Sequence, residues 1–71
     1  MNNIRITSAE NVLSPTTAIL EIRRTLKTDL MTAKRIFESL LEGRASEFTL
    51  SKDVDAALAS LSAIGLQVEA F

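Results

Sequence analysis

Apolar residues along this chain alternate between two spacings, every second residue and every third or fourth. The first spacing marks a strand half-buried on a sheet, and the second marks a helix with one apolar face. Ile4 and Ile6 flank Arg5 in the first pattern, which predicts a short strand over residues 2–7. After a connector of small and polar residues ending in Val12 and Leu13, Ser14-Pro15 reads as a helix cap followed by a proline at the first helical position, where its missing N–H costs nothing. Ala18, Ile19, Ile22 and Leu26 then recur at helical spacing, so the first helix runs to about Leu26. Lys27-Thr28-Asp29 breaks the pattern. Thr28 reads as a cap and Asp29 as an acid in the first turn of a second helix, whose stripe is Leu30, Ala33, Phe37 and Leu40, widened by Ile36 and Leu41, and which Gly43 ends. So short a junction predicts a helical hairpin.

The second half repeats the alternation once. Phe48 and Leu50 flank Thr49, giving a short edge strand within 44–50. Ser51 is expected to cap a third helix with Asp53 in its first turn, and Val54, Ala57, Leu58, Leu61 and Ile64 form the buried stripe. Gly65 closes that helix, and residues 66–71 alternate Leu66, Val68 and Ala70 against Gln67, Glu69 and Phe71. The order is β-α-α-β-α-β. Three strands and three one-faced helices bury their apolar sides most economically as a two-layer α+β sandwich, with the helices on one face of a small antiparallel three-stranded sheet. The 71 residues suffice for a single domain over 1–71, and a core of this size supplies only about 3 to 5 kcal/mol of stability.

Composition narrows the chemistry. The chain has no cysteine, histidine, tryptophan or tyrosine, so it offers no disulfide, soft metal ligand, cysteine nucleophile or imidazole base. Asp53 and Asp55, two apart on a helix, face different ways, and Ser51-Lys52 at a helix start do not aim at each other. Enzymatic activity, a metal and a cofactor are therefore not expected. No leader-like or membrane-spanning apolar run is present, which makes the cytoplasm the expected location. The net charge is −1, but Arg23, Arg24, Lys27, Lys34 and Arg35 against Asp29 put +4 between Arg23 and Arg35 and leave −5 on the remainder. No aromatic residue is interleaved with these cations; Phe37 reads as core, and Phe48 and Phe71 as core or sheet cover. Nucleic-acid binding, which needs stacking or groove readout besides phosphate contacts, is thus only a minor alternative.

Several stretches resemble a known family. Residues 19–23, the run Leu30-Met31-Thr32-Ala33-Lys34, the run Leu50-Ser51-Lys52-Asp53 that opens the third helix, and Gly65-Leu66-Gln67-Val68-Glu69 at the end resemble, in order and spacing, the C-terminal domain of the bacterial ribosomal stalk protein. The likeness covers residues 4–71 with about one residue inserted near 44–47. It implies a domain that binds translational GTPases through its first two helices, with Ile19 as apolar anchor and Arg23 and Lys34 as charged contacts. Leu20 and Lys27 join the expected surface as neighbours of these three. Thr16 and Leu20 replace a valine and a lysine of the family, and Lys27-Thr28-Asp29 replaces its glycine-rich turn. Nothing before Ile4 resembles the family's dimerisation segment and hinge, so the expectation is a free-standing or excised factor-binding domain, or a relative with another partner. An adaptor or inhibitor of a different bacterial machine, in the manner of the Clp adaptor fold and encoded on a mobile element, is the alternative. The edge of the last strand is also open to pairing with a second copy.

Overall fold

The computed structural model describes residues 3–50 and 53–71. Strand β1 (Asn3–Ser8) is followed by helices α1 (Pro15–Leu26) and α2 (Leu30–Leu41), strand β2 (Ser46–Thr49), helix α3 (Val54–Ala63) and strand β3 (Gln67–Ala70). The sheet order is β2-β1-β3, with both pairings antiparallel. The predicted α+β architecture is thus the one observed. Ile4 stands opposite Phe48 on one side and Ala70 on the other, and Ile6 stands opposite Ser46 and Val68. One irregularity between Ile6 and Ser8 shifts the β1–β3 register, after which Ser8 pairs with Gln67 at the start of β3.

Ile4 and Ile6 are fully buried beneath the helices, together with Ala18, Ile22, Ala33 and Leu61, while Phe37, Leu40 and Leu66 are nearly so. Helices α2 and α3 lie on the sheet, and α1 packs against both of them. Phe48 and Val68 close the core from the flanking strands. No charged or polar side chain is buried among the described residues, so this core is wholly apolar.

Local chemistry sets most element ends. Ser14 adopts an extended backbone, and its hydroxyl accepts the Thr17 N–H at 3.3 Å, while Pro15 starts α1. At the other end Lys27 is left-handed (φ 53°), and its N–H and that of Thr28 both donate to the Arg23 carbonyl. The turn into α2 corrects the cap assignment. Asp29, not Thr28, is the N-cap: its Oδ1 accepts the Thr32 N–H at 3.2 Å, and α2 begins at Leu30. Thr28 is occupied in closing α1, which leaves the next residue to open α2. Asp53 also differs from expectation. It is the residue before α3, left-handed at φ 57° and making no side-chain cap bond, so the first-turn acid is Asp55. An aspartate tolerates this backbone better than most residues. The expected Ser51 cap, and the expected start of β1 at Asn2, lie outside the described residues.

Hydrogen bonding from the Thr32 side chain and then from its backbone N–H holds the Asp29 carboxyl below the ordinary carboxylate range. The sign follows by linkage: a depressed folded-state value gives stability that is present above the unfolded value of about 3.8 and is lost as pH falls through the folded value. Stability should therefore drop on acidification below about pH 4, and Asp29→Asn, which still caps but does not ionise, should flatten that limb. Urea midpoints measured from pH 2 to 5 check this, and parallel limbs for both proteins would contradict it.

On the outer face of the sheet one residue bridges all three strands. Arg5, at the centre of β1, donates from Nε to Glu47 on β2 and from Nη1 to Glu69 on β3, both at 2.9 Å. The Phe71 ring lies over the guanidinium, 4.5 Å from centroid to Cζ. Phe71 is thus cover for the outer face and stands apart from the core. Its N–H still pairs with the Asn3 carbonyl, extending the β3 ladder by one bond.

Candidate partner-binding surface

A helix buries one face and leaves the other to solvent, so the outward residues of α1 and α2 are fixed by which ones the core takes. Ala18 and Ile22 of α1 and Ala33, Phe37 and Leu40 of α2 point inward. Position 19 is half-buried and packs against the core, whereas Leu20, the next residue, is 47% exposed. The apolar residue that faces solvent on α1 is therefore Leu20, with Ile19 at the margin of the core. From Leu20, the spacing of a helical stripe runs through Arg23 and Arg24 to Lys27, and with Thr28 these residues line one shallow cleft.

On α2 the exposed side chains near the turn are Leu30 and Met31, followed one helical turn later by Lys34 and Arg35. Lys34, expected in the surface, is exposed on α2 but does not line the α1 cleft. Of the expected residues, the fold thus brings Leu20, Arg23 and Lys27 into one place, and sets Ile19 and Lys34 outside it. Leu30, Met31 and Thr28 belong to the same exposed hairpin end and were not singled out from the sequence. Leu30, expected at the head of the buried stripe, and Leu41, expected to widen it, are instead exposed, because the inward face of α2 is taken by Ala33, Phe37 and Leu40.

Charge on this surface is largely uncompensated. Arg24 is engaged by Glu21, one turn earlier on the same helix. Among the described residues, Arg23, Lys27, Lys34 and Arg35 have no carboxylate within ion-pair distance. Elsewhere Arg5 is neutralised by two glutamates, and Arg44 is within 3.8 Å of Glu42. The unpaired positive charge thus gathers on the hairpin.

Two other concavities are present among the described residues. A cleft of about 250 Å³ between the end of α1 and the start of α3 is lined by Lys27, Leu50, Asp53, Ala57 and neighbours, and another of about 290 Å³ lies beside the almost fully exposed Leu13, Ile64 and Gly65. Among the described residues no three histidine, cysteine, aspartate or glutamate side chains come close enough to hold a metal ion, and no helix is long and apolar enough to cross a membrane. What the hairpin offers chemically is cations interleaved with solvent-facing aliphatic side chains, a combination suited to recognising an acidic protein surface. No family model, curated protein or solved structure matches the chain.

Proposed function

We propose that this domain is a non-enzymatic protein-interaction module of the cytoplasm that engages an acidic partner through the α1–α2 hairpin, a translational GTPase being the partner class. One observation carries the reading: among the described residues the cations left without a carboxylate, Arg23, Lys27, Lys34 and Arg35, all sit on this hairpin beside exposed Leu20, Leu30 and Met31. Cations of this kind steer an oppositely charged partner and fix its register, while the aliphatic residues supply the desolvated contact from which affinity comes. The partner class comes from the resemblance of residues 19–23 and 30–34 to the factor-binding helices of the stalk domain.

The test is a calorimetric titration of purified bacterial elongation factors with the domain and with Arg23→Glu. Arg23 is exposed and makes no ion pair among the described residues, so its reversal leaves the fold intact and should weaken binding about tenfold. Raising salt from about 50 to 300 mM should weaken the parent protein in the same direction by screening. Equal affinity of parent and variant, with equal thermal midpoints, would remove the hairpin from consideration.

A further inference from the structure

We infer that the cleft at the C-terminal end of α1 seats an acidic peptide segment of the partner, with a carboxylate between Arg23 and Lys27 and an aliphatic side chain on Leu20. The inference rests on the protein-interaction reading and assigns which part of the hairpin reads the partner.

The cleft has a volume of about 460 Å³ and is lined by Leu20, Arg23, Arg24, Lys27 and Thr28, with no acidic side chain in its walls. Glu21 already satisfies Arg24, which leaves Arg23 and Lys27 as the cations available to an incoming anion. Asp29, two residues beyond Lys27, is committed to capping α2 through Thr32. A helix C-terminus ordinarily repels anions because its last carbonyls point outward. Here the Arg23 carbonyl is taken by the N–H groups of both Lys27 and Thr28, so that part of the negative end is already bonded.

Lys27 itself supports the assignment. It holds the left-handed conformation that ends a helix, a position glycine fills without strain and a lysine fills at a conformational cost. The cost brings a cation to the rim of the cleft. Leu20 selects among anions: nearly half exposed beside the cations, it offers an apolar contact that a lone phosphate leaves unused and that an aliphatic residue next to a glutamate fills.

The experiment is an amide chemical-shift titration of the isotope-labelled protein with a blocked Glu-Leu-Glu-Glu-Leu peptide, with its glutamine counterpart and with inorganic phosphate. Shifts centred on Leu20, Arg23, Lys27 and Thr28 are expected with the acidic peptide, and none with the glutamine peptide at the same concentration. Lys27→Glu should weaken the acidic peptide about tenfold. Lys27→Gly, which relaxes the backbone while removing the charge, should weaken it severalfold, and it keeps the test decisive if the glutamate variant fails to fold. Shifts centred instead on Lys34 and Arg35, or phosphate shifts as large as the peptide's, would overturn the inference. A parallel titration with elongation factor separates the two readings. Binding that survives Lys27→Glu but is lost with Lys34→Glu removes the cleft and leaves the module, whereas binding untouched by either substitution removes both.

Discussion

Replacing Gly65 with alanine is expected to unfold the domain. Gly65 follows α3 with φ +101°, a backbone region that L side chains rarely adopt. A Cβ there would lie 2.2 Å from the Asn11 carbonyl oxygen, 2.7 Å from its carbon and 3.0 Å from the Val12 Cα. All three neighbours are backbone, so no rotamer change relieves the clash, and the β1–α1 connection or the start of β3 must move. Conformational strain of about 1 to 3 kcal/mol adds to that displacement and together reaches the roughly 3 to 5 kcal/mol that a domain of this size holds in reserve. Gly43 is the control. It too has positive φ, at +86°, but a Cβ there meets nothing within 4 Å. Gly43→Ala should therefore carry only the conformational cost and keep a cooperative transition at a lower midpoint. Circular dichroism and urea unfolding of the two variants side by side decide the matter; a cooperative, near-parental transition for Gly65→Ala would mean that the loop yields where the geometry says it does not.

Ile22→Ala should cost about 2 to 5 kcal/mol, the range for a large aliphatic truncated inside a close-packed core. Ile22 is completely buried at the centre of α1's inward face, where α1 meets α2 and α3. The void opens among three helices, each pinned by its own contacts to the remainder of the core, so collapse recovers little. Ile22→Val removes a single methylene and should cost about 0.5 to 1.5 kcal/mol with the transition still cooperative. Because Arg23 and Leu20 ride on the same helix, partner affinity should fall with Ile22→Ala in proportion to the folded fraction. Arg23→Glu should lower affinity with the folded fraction unchanged. Urea unfolding together with calorimetry separates the two, and an Ile22→Ala midpoint within the Ile22→Val range would show that the core relaxes more than its packing implies.

The architecture was legible from the sequence because its strongest signals are local. Ser14-Pro15, Gly43 and Gly65 each do within a few residues what a helix end requires, and Ala18, Ile22, Ala33, Phe37 and Leu40 point inward as their spacing dictates, while Leu30, which shares the α2 spacing, lies in the first turn and faces solvent. Where two neighbours could serve the same role, spacing gave no choice. Thr28 and Asp29 are both capable caps, and the decision falls to the backbone bond that draws Thr28 into the end of α1. Asp53 departs from expectation because its backbone is left-handed and its side chain makes no cap bond, a conformation that residue type and spacing do not specify. Among the surface residues, Leu20, Arg23 and Lys27 share a stripe that helical periodicity already contains, but the half-burial of Ile19 depends on how α1 settles on its neighbours. The bridging role of Arg5 had no sequence signal at all. Its partners stand 42 and 64 residues away, and only the register brings them together.

That register also orders events during folding. The strand made first occupies the middle of the sheet, so both of its flanks wait for segments made later, the farther of them at the opposite end of these residues. The α1–α2 hairpin is a unit whose contacts are local, as is the α3–β3 pair, and among the described residues the hairpin carries the unpaired cations. Short helices of this length are marginal in water without a surface to lie on. A chain emerging from synthesis therefore presents its charged residues early and in fluctuating geometry, and the hairpin gains a surface to lie on only when α2 settles on β1 and β2. In the proposed reading, a partner that needs the hairpin's fixed geometry meets it only once the sheet has begun to assemble.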